Sequence, residues 1–190
     1  PNNHTTNLVR QNVLFCNQCG ANVLYTRPSG DTRKRYVCEK CKNIHYQNPH
    51  VIVGTVPLLD GRILLCRRAI GPRYNTWTLP AGFMELGETT VQGAARETLE
   101  ESGAFVEVGA LFTLISVPGL NQVHLFYLAK VTKLQACPCI ESSEVVHYDE
   151  DNIPWKELSF HTVVTTIQHF IKDRRRGIMG FHHYSISPDC

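Results

Sequence analysis

The segment that most constrains the fold is residues 82–103, which combines the signals of a capped helix with a high density of glutamates. Thr89 and Gln92 have the spacing of a capping box, which places the start of a helix at the residue after Thr89. Gly103 has the place of the glycine that ends many helices in the left-handed conformation. We therefore predict a helix over residues 90–102, preceded by a loop.

Three glutamates share one face of this predicted helix. At 100° per residue, Glu97, Glu100 and Glu101 fall within about 100° of one another. Like charges at this spacing destabilise an exposed helix by ~0.2–0.5 kcal/mol per pair, and a divalent cation would remove that repulsion. Oxygen-only ligands suit Mg²⁺ or Mn²⁺ better than zinc. The helix alone leaves two interpretations open, a metal site and an ordinary solvated acidic face.

Eight cysteines are many for a chain of 190 residues, and half of them form two Cys-x-x-Cys pairs. The pairs are Cys16 with Cys19 and Cys38 with Cys41. This spacing is typical of a structural zinc site, in which four thiolates complete a tetrahedral shell, whereas disulfides or free thiols are the alternative. No apolar signal segment opens the chain, although its start at Pro1 leaves a removed leader open. We predict a zinc ribbon in a reducing compartment, either the cytoplasm or an organelle such as a plastid.

The sequence texture changes at about residue 48, from a hairpin-rich segment to an α/β pattern. Residues 50–59 and 62–68 predict two strands joined by an Asp60-Gly61 turn. Apolar residues at helical spacing predict a last helix over residues 161–175. Hydrophobic residues make up 43% of the chain, enough to bury a core. Further strands are predicted at residues 105–108, 111–117, 123–133 and 144–148.

The formal charge of +2 and the lack of a long apolar run limit the classes of partner. No segment approaches the ~18 apolar residues of a membrane span, so no membrane partner is expected. A near-balanced charge does not favour a strong polyanion binder. One modest basic group lies on the ribbon hairpin, and it keeps nucleic acid open as a less favoured partner: Arg27, Arg33, Lys34 and Arg35. The segment 180–184 either packs back on the domain or extends to the second copy of a homodimer.

The spacing of the glutamate segment resembles the Nudix box, which is a glycine, five residues, a glutamate, seven residues and then Arg-Glu-x-x-Glu-Glu-x-Gly. The matching residues are Gly82, Glu88, Arg96, Glu97, Glu100, Glu101 and Gly103. Thr98 stands where the box usually has an aliphatic residue, and Ala104 is small for its place. With the four-cysteine ribbon, the chain resembles the ribbon-bearing Nudix hydrolases, above all the plant-type FAD and ADP-ribose pyrophosphatases. Further similar segments are Asn48-Pro49, Arg67-Arg68, residues 77–85, residues 141–144 and residues 153–155.

The resemblance implies a domain architecture and a set of roles. Residues 1–48 would hold an N-terminal tail and the ribbon, and residues 49–190 an α/β/α sandwich with a mixed sheet between the two helices. The reaction would be metal-dependent hydrolysis of a diphosphate bond. The box carboxylates and the Gly82 carbonyl would bind Mg²⁺ or Mn²⁺, and Arg96 would orient a box glutamate. The general base would come from the box or from one of two downstream residues, Glu141 and Glu144.

The substrate is expected to be a dinucleotide, with FAD (to FMN and AMP) ahead of ADP-ribose (to AMP and ribose 5-phosphate). NADH is less favoured, since residues 116–122 lack the Ser-Gln-Pro-Trp-Pro-Phe-Pro type motif of NADH-cleaving relatives. Pro118 lies near the place of a proline found in ADP-ribose-cleaving relatives. Trp77 and Phe83 are the aromatic residues we expect to stack on the substrate. The same chemistry would also cleave an mRNA cap or a nucleoside triphosphate, and a nucleic-acid-binding or ligand-sensing regulator is the hypothesis from a different class.

Overall fold

The computed structural model of the chain describes residues 13–135 and 140–186. The chain divides into two compact units, residues 1–49 and residues 50–190, here named the ribbon unit and the sandwich unit. Most of the predicted N-terminal tail lies outside the described residues, as do Cys137, Cys139 and Cys190.

The ribbon unit is built on a small antiparallel sheet of β1 (Val23–Thr26), β2 (Arg35–Cys38) and β3 (Ile44–His45). Tyr25 and Tyr36 lie opposite each other on β1 and β2, with ring centroids 4.9 Å apart. A unit of this size cannot bury a large apolar core. Its fold therefore depends on a further source of stability, which the cysteines supply.

One mixed sheet forms the middle of the sandwich unit. Among the described residues its strands are β4 (His50–Leu59), β5 (Arg62–Arg68), β6 (Trp77–Thr78), β7 (Ala81–Phe83), β8 (Ala104–Val117), β9 (Gln122–Leu134), β10 (Ser142–Tyr148) and β11 (His182–Ser185). The order is β10-β5-β4-β9-β8-β11, with β6 paired to β5 and β7 paired to β4. β4 pairs in parallel with β9 and β11 in parallel with β8, and the other pairs are antiparallel.

In the described part of the chain, two α-helices cover the sheet, α1 (Thr90–Ser102) and α2 (His161–Arg176). Ala94 of α1 packs in the same apolar cluster as Val53 of β4. Phe170 of α2 packs in a different cluster, with Val56 of β4. Because side chains alternate along a strand, Val53 and Val56 point to opposite faces of the sheet. The helices therefore lie on opposite faces, and the predicted α/β/α sandwich is confirmed.

Helix α1 begins and ends where the sequence predicts. The Thr89 side chain accepts a hydrogen bond from the Gln92 N–H, and the Gln92 side chain accepts one from the Thr89 N–H. Gly103 ends the helix at a φ of 69°, in the region that favours glycine. In mid-helix, the Thr98 hydroxyl lies 2.7 Å from the hydroxyl of Thr55 on β4, and both residues are fully buried. A polar pair thus joins α1 to the sheet where the box usually has an aliphatic contact.

Two strand predictions differ from the structure. Residues 69–81, where no strand is predicted, contain β6 and the start of β7. The strands predicted at residues 105–108 and 111–117 form the single strand β8. The pairing of β8 with β9 shifts register between Val108 and Leu111, so the break in the sequence pattern is an irregularity within one strand.

The C-terminal strand β11 pairs with the outer side of β8. Asp173, near the end of α2, accepts a hydrogen bond from the Gly180 N–H at 2.9 Å. Its carboxylate also lies 2.8 Å from Nε2 of His182, the first residue of β11. The tail therefore packs back on its own sheet, which is one of the two arrangements that the sequence left open.

Candidate functional site

Four cysteine sulfurs gather in the ribbon unit. The Sγ atoms of Cys16, Cys19, Cys38 and Cys41 all lie within 4.8 Å of one another. The Cys16–Cys41 and Cys19–Cys38 pairs are 3.6 Å and 3.4 Å apart. Zn–S bonds of ~2.3 Å in a tetrahedron place sulfurs roughly 3.8 Å apart, whereas a disulfide brings them to ~2.05 Å. The cluster therefore fits a zinc ion and not a pair of disulfides.

Backbone N–H groups stabilise a thiolate in this cluster. Burial raises the pKa of the Cys38 thiol, but the N–H groups of Cys41 and Lys40 more than offset it and lower that pKa to about 6. The Cys41 N–H points at the Cys38 sulfur at 3.4 Å. Zinc requires deprotonated sulfur ligands, and this geometry favours the thiolate at Cys38. Because four thiolates leave no open position on zinc, the site is structural and not catalytic.

The basic side chains of the ribbon hairpin are partly engaged within the ribbon itself. Arg35 donates to Asp31 at 2.9 Å and lies 5.1 Å from the centroid of the Tyr46 ring. Lys34 lies 6.0 Å from the centroid of the Tyr25 ring. This arrangement reduces the positive charge that the hairpin offers to a nucleic acid.

The box residues meet where α1 faces β7. Gly82 lies so close to Glu97 that a Cβ atom at Gly82 would collide with the Glu97 carboxylate. The Glu101 carboxylate accepts a hydrogen bond from the Ala81 N–H at 3.0 Å. Ala81 and Gly82 are neighbours on β7, and Glu97 and Glu101 are one turn apart on α1. One strand and one helix face thus bring the carboxylates together.

Glu101 is an ionisable group in an almost dry place, with 6% of its surface exposed. Burial is the main cause that raises the pKa of Glu101 to about 8. The charges of Glu97 and Glu141 also raise this pKa, whereas the hydrogen bond from the Ala81 N–H and the charge of Arg68 lower it. Burial also raises the pKa of Glu97 above its usual value. Buried carboxylates that disfavour one another's charge are typical of a site made for a cation or for catalysis.

Arg96 holds the acidic cluster in place. Its Nη1 donates to Glu97 at 2.7 Å and to Glu100 at 3.0 Å. Its Nε and Nη2 form a two-pronged contact with the Glu88 carboxylate at 3.0 and 2.8 Å. Nη2 also donates to the Phe83 carbonyl at 3.1 Å. A guanidinium that bonds the loop, the strand and the helix at once fixes how the carboxylates are oriented.

Glu88 belongs to the support of the site. The hydrogen bonds from Arg96 are the main cause that lowers the pKa of Glu88 to about 2, and the Glu85 N–H adds a further hydrogen bond of 2.7 Å. Glu88 is therefore ionised and already paired within the protein. Its contacts join the loop before α1 to the helix.

The donor set suits Mg²⁺ or Mn²⁺. Glu97, Glu100 and Glu101 of α1 offer carboxylate oxygens, the ligand type that hard divalent cations prefer. The space that a Cβ atom of residue 82 would fill lies directly against Glu97. A bound cation would also favour the ionised forms of Glu97 and Glu101, whose pKa values are raised mainly by burial and further by neighbouring carboxylates. The residues present therefore fit a hard divalent cation.

The two downstream carboxylates lie in different places. Glu144 on β10 is opposite Arg67 on β5, and the two side chains form an ion pair at 3.2 Å. Val146, which has the same strand parity as Glu144, packs in the cluster on the α2 face. Glu144 therefore projects away from α1, toward the α2 face of the sheet. Glu141, by contrast, is close enough that its charge raises the pKa of both Glu97 and Glu101.

The two expected stacking residues also differ. Trp77 is 4% exposed and packs in the main core, with its ring 5.3 Å from that of Tyr148. It is a core residue in this structure, because no face of its ring is open to a ligand. Phe83 is 53% exposed, and its ring meets the ring of His50 edge-on at 5.4 Å. Of the two, only Phe83 offers a surface for stacking.

Some residues beside the site gave no distinct sequence signal. Thr55 and His50 lie in a run that reads only as a strand. Thr55 reaches Thr98 because α1 packs on the face of β4, and His50 reaches Phe83 because β4 pairs with β7. Long-range strand pairing of this kind is not encoded in a local pattern.

The fold and the carboxylate site together define a class, the Nudix hydrolases. The NUDIX domain family matches residues 48–173, and the zinc-ribbon family described as Nudix N-terminal matches residues 14–47. The chain therefore belongs to the Nudix family. A solved structure of a NUDIX hydrolase from Nitrosomonas europaea is similar over 92% of this chain and 99% of its own, with 47% identity and a TM-score of 0.89.

Two curated relatives carry names that specify a substrate. An ADP-ribose pyrophosphatase of Methanocaldococcus jannaschii is 28% identical over 113 residues, which are 57% of this chain and 67% of the relative. The NAD-capped RNA hydrolase NudC of Vibrio atlanticus is 34% identical over 95 residues, which are 49% of this chain and 33% of the relative. The chain thus spans only about a third of the length of NudC. In residues 13–135 and 140–186, no helix is both long enough and apolar enough to cross a membrane.

Proposed function

We propose that the protein hydrolyses the diphosphate bond of ADP-ribose, giving AMP and ribose 5-phosphate, and that of FAD, giving FMN and AMP, with Mg²⁺ or Mn²⁺ as the cofactor. The observation that carries the proposal is the oxygen-only cluster at the contact of α1 and β7. There, Glu97 and Glu101 lie beside a strand that has no side chain at Gly82. The name of the Methanocaldococcus relative supports ADP-ribose as the first substrate, whereas FAD rests on the sequence resemblance.

The box residues have distinct roles in this proposal. Glu97, Glu100, Glu101 and the Gly82 carbonyl would hold the cation, which when bound neutralises the diphosphate and makes attack by water easier. Arg96 positions Glu97 and Glu100 through its hydrogen bonds of 2.7 and 3.0 Å. A diphosphate needs such fixed geometry because most of the rate gain in its hydrolysis comes from positioning and electrostatics.

Glu141 is our candidate for the general base that takes a proton from the attacking water on a carboxylate oxygen. Its charge acts on Glu97 and Glu101, whereas Glu144 faces the other side of the sheet in its ion pair with Arg67. A general base contributes typically 10²–10⁴-fold to a rate, so Glu141→Gln should reduce kcat by roughly 10²-fold or more. Glu144→Gln should leave kcat within about 2-fold of the wild type. The opposite pattern would return the role to Glu144.

NAD-linked substrates are the second candidate, favoured by the similarity to NudC. The segment 116–122 does not carry the motif of NADH-cleaving relatives, which is why this candidate stands second. A substrate panel separates the two. It contains ADP-ribose, FAD, NADH and a 5′-NAD-capped RNA oligonucleotide, each incubated with Mg²⁺ and with Mn²⁺.

The expected result of the panel is AMP with ribose 5-phosphate from ADP-ribose, and AMP with FMN from FAD, identified by chromatography. Faster release of nicotinamide mononucleotide from NADH or from the capped oligonucleotide would favour the second candidate. Salt-dependent binding of the uncapped oligonucleotide without any turnover would favour a nucleic-acid-binding module instead. For the localisation, we propose a reducing compartment, since the four ribbon cysteines serve as zinc ligands only when they are not joined in disulfides.

A further inference from the structure

An open cavity of about 350 Å³ lies beside the C-terminal half of α2, and we name it the Trp155 cavity. Its volume lies within the range of ~300–1,000 Å³ that is typical of small-molecule sites. Because α2 and α1 cover opposite faces of the sheet, the sheet separates this cavity from the box glutamates. The residues that line it are Trp155, Gln168, Ile171, Lys172, Arg175 and Arg176.

Trp155 is a large aromatic residue that the core does not use. It begins a short helical turn before α2, Trp155–Glu157, and is 38% exposed. It belongs to none of the apolar clusters of the described residues, although Ile153 and Leu158 on either side of it pack in the main one. The ring pairs found in residues 13–135 and 140–186 leave it without an aromatic neighbour. Part of its indole ring is therefore open to a ligand in the cavity.

The floor of the cavity is apolar and fixed. Ile171 is only 7% exposed, and it packs in the main core cluster, which holds its side chain in place. Together with the indole of Trp155 it makes the exposed surface of the cavity mainly apolar. An apolar floor beside an open aromatic ring suits the planar ring of a ligand.

Two unpaired cations stand at the rim of the cavity. Lys172 and Arg176 are one turn apart on α2, so they lie on the same face of the helix. Both are exposed, and neither forms an ion pair within the described part of the chain, whereas Arg175 is held by Glu150 and Asp151 at 3.2 and 3.3 Å. The C-terminal end of a helix carries roughly half a negative charge, which is less than the two cations supply. A bound anion would therefore relieve the repulsion between Lys172 and Arg176.

We propose that the Trp155 cavity is a second ligand site, which binds a nucleoside 5′-monophosphate with its base on Trp155 and its phosphate on Lys172 and Arg176. A phosphate monoester carries about −1.5 to −2 charges at pH 7, which matches two cations, whereas a carboxylate would match only one. The amide of Gln168 offers both a donor and an acceptor for the edge of a base. This site lies apart from the carboxylates, and the proposal does not depend on the hydrolase function.

The test measures the affinity of the full chain for AMP, adenosine and ribose 5-phosphate by calorimetry. The buffer contains no Mg²⁺ or Mn²⁺, so that no cation holds a phosphate at the box, and no chelator, so that the ribbon keeps its zinc. AMP should bind at least ~10-fold more tightly than ribose 5-phosphate, which lacks the base, because stacking on one aromatic side chain is worth that much or more. It should also bind about 10-fold more tightly than adenosine, which lacks the phosphate.

Tryptophan fluorescence gives a second readout that needs no variant. Trp77 is 4% exposed in the core, so quenching by AMP should come from Trp155. Trp155→Phe should abolish the AMP-dependent quenching while retaining most of the affinity, because it keeps a ring for the base.

Three further variants assign the parts of the ligand to the parts of the cavity. Trp155→Ala should weaken AMP by ~10-fold and leave ribose 5-phosphate unchanged. The double variant Lys172→Gln, Arg176→Gln should weaken AMP by about 10-fold and leave adenosine unchanged. Lys156→Gln is the matched control, because Lys156 is an exposed cation next to Trp155 that does not line the cavity, and it should change nothing.

AMP that binds no more tightly than ribose 5-phosphate, or that leaves the fluorescence of the wild type unchanged, would overturn the site. So would AMP binding that is lost in Glu101→Gln and retained in Trp155→Ala, because the nucleotide would then lie at the box. If circular dichroism shows that Trp155→Ala does not fold, the Lys172 and Arg176 double variant carries the test. Failure of the hydrolase proposal gives a different pattern, in which AMP still binds at Trp155 but no dinucleotide is cleaved.

Discussion

Replacing Thr98 by valine should destabilise the sandwich unit more than replacing Thr55 by valine, although the two hydroxyls bond each other. Thr98 lies 2.7 Å from the Thr55 hydroxyl and also donates to the Ala94 carbonyl at 2.7 Å. Both threonines are fully buried, and valine has nearly the same shape, so neither change leaves a large cavity. The difference must therefore come from the hydrogen bonds that remain.

The two variants leave different groups without a partner. Thr98→Val removes the only hydroxyl that bonds the Thr55 hydroxyl among the described residues, and an unsatisfied buried group costs ~1–3 kcal/mol. Thr55→Val leaves Thr98 bonded to Ala94 and should cost only ~0.5–1.5 kcal/mol. In the double variant no hydroxyl is left unsatisfied. It should therefore be more stable than Thr98→Val alone, with a coupling energy of about 1 kcal/mol.

Urea unfolding followed by tryptophan fluorescence is the appropriate assay. Both tryptophans of the chain, Trp77 and Trp155, lie in the sandwich unit, so the signal reports on that unit. The free energy of unfolding in water is obtained by linear extrapolation, with unchanged m-values as the check on two-state behaviour. Equal losses in the two single variants, or strictly additive losses in the double variant, would refute the hydrogen-bond account of this pair.

Three further changes have defined outcomes. Gly82→Ala should lower kcat by ~10²-fold, since its Cβ atom would displace the Glu97 carboxylate; steady-state kinetics on a folded variant test this. Asp173→Asn should lower the Tm at pH 7 by roughly 2–4 °C, measured by calorimetry. The Gly180 N–H, followed by His182, lowers the pKa of Asp173. The ionised Asp173 carboxylate therefore stabilises the fold fully above its unfolded pKa of ~3.9. The difference in Tm between the wild type and Asp173→Asn should disappear as the pH falls through the lower pKa that Asp173 has in the folded state. Cys38→Ser should reduce bound zinc from one ion per chain to none, measured by elemental analysis.

Some features of the chain can be predicted from its sequence alone. The capping box at Thr89, the glycine at Gly103 and the Cys-x-x-Cys pairs are local patterns in which one short segment carries the whole signal. The positions of α1 and of the sulfur cluster were predicted for that reason. A β-branched run and the Asp60-Gly61 turn likewise predicted β4 and β5, and apolar residues at helical spacing predicted α2, nearly to the residue.

The remaining features depend on which face of the sheet a residue occupies, and pairing with a strand that is distant in sequence determines that face. Glu144 and Glu141 are only three residues apart, yet the pairing of β10 with β5 sends Glu144 to the α2 face. Trp77 is predicted from the sequence to stack on the substrate, but it lies on the short strand β6 and is buried in the core. Thr98 stands where the box usually has an aliphatic residue, and its hydroxyl bonds that of Thr55, 43 positions earlier in the chain. A one-residue change of register would reverse each of these outcomes, and a single sequence does not specify register at long range.

The measurement that tests the central claim most directly is the rate of ADP-ribose hydrolysis as a function of Mg²⁺, for the wild type and for Glu101→Gln. Glu107→Gln serves as the control, because Glu107 is an exposed glutamate on β8. If the α1–β7 carboxylates form the catalytic centre, the wild type should require the cation. Glu101→Gln should fold normally and lose at least ~10²-fold in kcat/KM, whereas Glu107→Gln should match the wild type. A folded Glu101→Gln variant with wild-type activity, or full activity of the wild type in a metal chelator, would contradict the account.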